Sequence, residues 1–210
     1  LLTTSADVRD SSGNVAPSGH KAAIGGSGNT TINMSSSGVG LYIDGGAGND
    51  TLTASNHGCS LNGGTGADTL LGGSGADEFE FSQGEATLTL FNDVNLNGIR
   101  DTNDTYTFAG GVDIVQNFSS GDVVSLETAD NFSQNLRVMT PPPPGGLTID
   151  QRYFLVSGTY NGSLFTVGTG SDTLVVYDGN QTGGLTQAAL ILQGVATTSL
   201  VANGSELSLS

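Results

Sequence analysis

Between residues 45 and 80 a nine-residue pattern repeats, and nothing else in the chain restricts its fold as strongly. Gly45-Gly46-Ala47-Gly48-Asn49-Asp50-Thr51-Leu52-Thr53 is followed by a degenerate copy at 54–62. Then come Gly63-Gly64-Thr65-Gly66-Ala67-Asp68-Thr69-Leu70-Leu71 and Gly72-Gly73-Ser74-Gly75-Ala76-Asp77-Glu78-Phe79-Glu80. The intact copies read Gly-Gly-x-Gly-x-Asp-x-U-x, with U large and apolar. The glycines predict a tight turn through backbone angles that a side chain would block. The last three residues predict a short strand whose middle residue points inward. Leu52, Leu61, Leu70 and Phe79 then recur once per copy and predict a thin apolar core. One copy cannot bury that face alone, so successive coils must stack.

The same pattern suggests a ligand. A glycine-rich turn leaves carbonyl oxygens bare, and the sixth position adds one carboxylate per turn. Calcium is a hard cation that takes about six to eight oxygens at flexible geometry, which suits this donor set better than zinc or magnesium would. The candidate ligand turns are Gly45, Gly46, Gly48 and Asp50; Gly63, Gly64, Gly66 and Asp68; and Gly72, Gly73, Gly75 and Asp77. The pattern resembles that of the RTX (repeats in toxin) family, and this resemblance implies two copies per coil, so that same-side turns lie two copies apart. Asp50 and Asp68 then share one stack, and Asp77 shares the other with Cys59. A thiol is a poor calcium ligand, so the firmest ion is expected between Asp50 and Asp68.

These repeats resemble the RTX (repeats in toxin) family of secreted calcium-binding proteins. The resemblance implies a parallel β-roll over 25–80, with calcium as cofactor. It also implies type I export through an uncleaved C-terminal signal, and a secreted, extracellular or cell-surface location. Gly25-Gly26-Ser27-Gly28-Asn29-Thr30-Thr31-Ile32-Asn33 reads as a coil that keeps its shape while Thr30 replaces the aspartate. Its phase differs from that of Gly45, which predicts a two-residue insertion near 34–38.

Composition narrows the function classes. The chain has 20 acidic and 5 basic residues, a formal charge of −15. Phosphate recognition needs clustered Lys and Arg, so nucleic acid is excluded as a partner on this reading. No run of about 18 apolar residues exists to form a membrane span. The single cysteine, Cys59, allows no internal disulfide; metal is expected to act as the staple instead. Without a cation the regularly spaced carboxylates repel one another. The start at Leu1, with neither Met nor a basic leader, suggests a piece of something larger.

The rest of the chain reads as all-β. Residues 1–24 are expected to end an upstream β-rich region, and 81–140 to form antiparallel strands capping the roll. Residues 141–146, Pro141 to Pro144 with Gly145-Gly146, form a stiff linker. Residues 147–210 read as a small C-terminal β unit, with a hairpin signal at Asn161-Gly162. That unit loosely resembles the C-terminal ends of large cyanobacterial surface proteins that carry RTX repeats. Within 81–140 a second calcium motif runs from Asp93 to Asp104. Asp93, Asn95, Asn97, Asp101 and Asp104 occupy the oxygen positions of an EF-hand type loop, Gly98 its turn, and Ile99 its carbonyl position. Its flanks read as strands rather than helices. Downstream, Gly111-Val112-Asp113-Ile114-Val115-Gln116-Asn117-Phe118 and the Gly121-Asp122 turn resemble the stretch that follows the repeats in RTX exoproteins. Asp113 and Asp122 there suit either a metal or a turn.

No catalytic signature accompanies these motifs. His-Glu-x-x-His and Gly-x-Ser-x-Gly are absent, and only His20 and His57 are available as bases. A zinc site from His57 and Cys59 lacks further ligands. The expected function is a non-enzymatic, calcium-dependent structural module of a surface-layer, matrix, filament or adhesive protein. Its partners are calcium, with self-association or other surface components. The rival is the secretion and folding tail of a hydrolase whose catalytic domain lies upstream.

Overall fold

The computed structural model describes residues 2–3, 21–81, 87–96, 101–126, 153–178, 187–203 and 206–210. Among them the fold is all-β, with parallel and antiparallel pairing. The first strands are β1 (Leu2–Thr3), β2 (Lys21–Gly26), β3 (Thr31–Asn33), β4 (Leu41–Gly46), β5 (Thr51–Thr53), β6 (Ser60–Asn62), β7 (Thr69–Leu71) and β8 (Glu78–Phe81). Next are β9 (Thr87–Asn92), β10 (Thr105–Ala109), β11 (Asp113–Gln116), β12 (Val123–Leu126), β13 (Tyr153–Tyr160) and β14 (Leu164–Val167). The last are β15 (Asp172–Asp178), β16 (Gln187–Leu192), β17 (Leu200–Asn203) and β18 (Glu206–Leu209).

From β2 to β8 the chain deals successive strands alternately to two parallel sheets. β2, β4, β6 and β8 run side by side in one, and β3, β5 and β7 in the other. Each three-residue strand buries only its middle side chain, as the alternation of a strand dictates. The register lines these residues into two rows. Ile32, Leu52 and Leu70 pair in sequence in one sheet; Ala23, Ile43, Leu61 and Phe79 pair in the other. Both rows belong to one apolar core, in which Leu52, Leu61, Leu70 and Phe79 are fully buried. Each such side chain contributes about 1.5–3 kcal/mol. The expected phase shift falls between β3 and β4, where Ser37 N–H donates to Met34 O across a turn.

After β8 the chain leaves the stack and returns to it. β11 pairs in parallel with β7, and β12 in parallel with β8, so that Val115 lies beside Leu70 and Val124 beside Phe79. The rows then continue into the C-terminal part. Leu192 of β16 lies beside Val115, and Leu207 of β18 beside Val124. β16 thus adds one more parallel rung beside β11, whereas β18 pairs antiparallel with β12. Within 81–140 it is β11 and β12 that cover the last repeat strands, in parallel rather than antiparallel pairing, while the hairpin β9–β10 pairs with β16 and β14. The cause is burial: covering Leu70 and Phe79 with Val115 and Val124 continues both apolar rows without a break.

That hairpin closes a ring. β15, β13, β14, β10, β9 and β16 pair in turn, all antiparallel, and β15 pairs back to β16. Tyr106, Val112, Val156, Phe165, Leu174, Val176, Ala189 and Ile191 form a second core. β16 serves both cores by alternation. Ala189 and Ile191 face the ring, while Ala188, Leu190 and Leu192 face the stack. Residues 147–210 therefore supply strands to both sheets rather than only to each other. Positions 1, 4–20, 82–86, 97–100, 127–152, 179–186 and 204–205 lie outside the described residues, the proline linker among them.

Candidate metal centre

Each turn hands its aspartate to the turn before it. Asp50 Oδ1 accepts the Thr30 N–H at 2.6 Å, Asp68 Oδ1 the Asp50 N–H at 2.7 Å, and Asp113 Oδ1 the Asp68 N–H at 2.8 Å. A second column runs along the other side of the stack. There Asp77 Oδ1 accepts the Cys59 N–H at 2.7 Å and Asp122 Oδ1 the Asp77 N–H at 2.9 Å. Asparagines stitch the first column in the opposite sense: Asn29 Oδ1 accepts from Asn49 N–H, and Asn49 Oδ1 from Ala67 N–H. The structure thus brings Asp50 and Asp68 together, with Asp77 beside Cys59.

The columns differ in the second carboxylate oxygen. Asp77 Oδ2 accepts the Gly73 N–H at 2.7 Å, within its own turn. Asp122 Oδ2 accepts from both the N–H and the hydroxyl of Ser119. In the first column Asp50 Oδ2 and Asp68 Oδ2 are buried with no hydrogen-bond donor. Both residues are at most 2% exposed. An unpaired carboxylate oxygen out of water carries a desolvation cost that a donor or a cation would relieve.

The glycines hold these oxygens close to the chain. A Cβ on Gly45 would lie 2.5 Å from both Asp50 Oδ2 and the Gly63 carbonyl oxygen, and one on Gly63 would collide with Asp68 Oδ2. Gly46, Gly48, Gly64 and Gly66 adopt positive φ, and a Cβ on Gly64 or Gly66 would strike the carbonyl of Gly46 or Gly48 in the preceding turn. Not every turn carbonyl is bare: Gly46 O accepts the Thr65 N–H, and Gly26 O the Ala47 N–H. Around Asp77, Gly72 N–H reaches Gln116 O, and Gly75 packs on the backbone of Gly58.

Burial sets the electrostatics. It pushes Asp68 up to about 6, and the neighbouring Asp50 charge adds to the rise against the Asp50 N–H bond. Asp113 is pushed up to about 8, again by burial first, with Asp68 as the like charge. Asp50 and Asp77 are raised in the same direction for the same leading reason. A cation beside such groups would favour their charged forms.

Cys59 keeps part of the aspartate role. Its Sγ accepts the Ser55 N–H at 3.3 Å, four residues back, as Asp77 Oδ2 does from Gly73. His57 is exposed while Cys59 is buried.

The loop from Asp93 to Asp104 is arranged differently. Asp104 is fully buried; its Oδ1 accepts the Val94 N–H at 3.0 Å and its Oδ2 the Asp101 N–H at 2.7 Å. Asn95 Nδ2 donates to both oxygens of Asp101, at 3.0 and 3.1 Å. Asn103 N–H to Val167 O and Val167 N–H to Asp104 O tie the loop to β14. Asn97 and Ile99 lie outside the described residues. No three His, Cys, Asp or Glu side chains converge among the described residues, so a cation site would be completed by backbone oxygens.

Sequence reasoning gave Asp113 and Asp122 no firm role. The faint signal is a glycine one or two residues before each aspartate, Gly111 and Gly121, and a valine two residues after it. No protein-family model matches the chain, and no curated protein matches it. No helix among the described residues is long and apolar enough to cross a membrane.

Proposed function

We propose that this chain is a calcium-stabilised β-roll module of RTX type, serving a structural role in a secreted or cell-surface protein. The observation that carries the reading is the pair of buried, donor-less Oδ2 atoms on Asp50 and Asp68. Two like-charged carboxylates stacked out of water disfavour the folded state unless a cation offsets them. Calcium, when bound, supplies that charge and an oxygen-seeking coordination sphere. Asp50 and Asp68 would hold it, with carbonyl oxygens of the glycine turns. The chain's own contribution is to position those oxygens: the asparagine and aspartate ladders fix the turns, and the two leucine rows fix the register.

Extracellular calcium modules bind at roughly 10⁻⁴ to 10⁻³ M. A module of this class stays unfilled at cytosolic calcium and fills outside the cell. Glycine-rich coils with a thin core have much backbone entropy to lose, so filling and folding coincide. Circular dichroism of the full chain, in chelator and then in millimolar calcium, tests this. β-signal rising with calcium supports the reading; equal signal in both conditions removes it.

A further inference from the structure

We propose that the cation column has a third rung, in which Asp113 and the turn of Asp68 hold a divalent, oxygen-seeking cation of the calcium class. This rests on the reading above and extends it beyond the glycine-rich repeats. Asp68 and Asp113 are 45 residues apart, whereas Asp50 and Asp68 are 18 apart. The longer interval contains the β9–β10 hairpin. Despite it, the rung is built like the one before. The side-chain bond from Asp68 N–H to Asp113 Oδ1 repeats that from Asp50 N–H to Asp68 Oδ1. The backbone bond from Ile114 N–H to Asp68 O repeats that from Thr69 N–H to Asp50 O.

The turn itself also repeats. Gly48, Gly66 and Gly111 each stand two residues before the aspartate, with φ of 121°, 137° and 104°. Asp68 and Asp113 are each 1% exposed. Asp68 Oδ2 is a buried acceptor with no donor, which sets this pair apart from a cluster of solvated carboxylates. The equivalent step in the other column lacks that feature, because both oxygens of Asp77 and Asp122 already accept N–H bonds. Asp113 follows the hairpin in the chain, so the third rung closes only once the excursion has returned. Cation binding there couples the ring to the stack.

Native mass spectrometry of the full chain in calcium counts the ions. Asp113→Asn keeps an oxygen for the Asp68 N–H bond and removes the charge. It is expected to lose one ion relative to wild type, while Asp122→Asn keeps the wild-type count. A wild type that takes up no calcium overturns the function proposed above. A wild type that binds, with an unchanged count in Asp113→Asn, overturns the third rung alone. Should Asp113→Asn not fold, wild-type crystals grown in calcium are read by anomalous scattering. Density against Asp113 and the Asp68 turn, beside that between Asp50 and Asp68, supports the rung. Density between Asp50 and Asp68 with none at Asp113 overturns it.

Discussion

Asp68 reaches back to the preceding turn, accepting the Asp50 N–H through Oδ1 at 2.7 Å while its Oδ2 stays buried without a donor. One oxygen of this carboxylate is structural, and the other is the one proposed above to meet a cation. In Asp77 both oxygens are structural. The two aspartates occupy the same position of the same nonapeptide, so their substitutions should separate the two roles.

Asp68→Asn preserves the acceptor and deletes the charge. It is expected to raise the calcium concentration at the folding midpoint and to leave the chelated protein no less stable. Asp77→Ala deletes two charge-assisted bonds, worth about 1.5–3 kcal/mol each. It is expected to destabilise the protein with or without calcium. Urea denaturation in chelator and in calcium reads both, and equal calcium dependence of the two variants would contradict the assignment.

The metal-free protein should grow more stable on acidification. Asp113 and Asp68 titrate near 8 and 6 when folded, above the ordinary 3.8. The folded state therefore binds protons more tightly, and stability rises as pH falls from about 8 towards 4. With calcium bound the sign reverses, because protons compete with the cation for the same oxygens. Denaturation midpoints at pH 5 and pH 8 should move in opposite directions in chelator and in calcium. A shift in the same direction in both rules this out.

Gly66→Ala should abolish folding in calcium. Its φ is 137°, and a Cβ would strike the Gly48 carbonyl; strain of this kind costs about 1–3 kcal/mol before the clash is counted. Gly28→Ala has open space around the new methyl and should fold like wild type. Circular dichroism melts compare them directly.

Asp104→Ala should loosen the β9–β10 loop and leave the parallel stack intact. The Val94 and Asp101 amides would lose their acceptor, and their hydrogen exchange should accelerate by one to two orders of magnitude, from about 1.5–3 kcal/mol per lost bond. Exchange at Thr51 and Thr69, in the stack, should not change. Faster exchange at all four sites would mean that the loop supports the whole fold.

The repeat made much of this legible. Leu52, Leu61, Leu70 and Phe79 are buried in two facing rows, and Asp50 shares a column with Asp68 as the spacing predicts. Periodicity conveys this because each coil pairs only with its neighbours. Asp113 and Asp122 could be read only as suiting either a metal or a turn, for the same reason. The hairpin stretches the interval to 45 residues, and too few glycines remain to mark the turns. The ring was hidden more deeply. Its closure depends on Thr173 pairing with Leu192 and Tyr106 with Phe165, and alternation within a strand says nothing about its distant partner. Nor does composition foretell that the Cys59 Sγ would accept the turn bond of an aspartate.

The most direct test of the account is where calcium sits. Crystals grown in millimolar calcium, measured at a wavelength where calcium scatters anomalously, locate it without reference to stability. The account predicts anomalous density against Asp50 Oδ2 and Asp68 Oδ2, with none between Cys59 and Asp77. Density confined to the Cys59–Asp77 side, or absent from both columns, would contradict it.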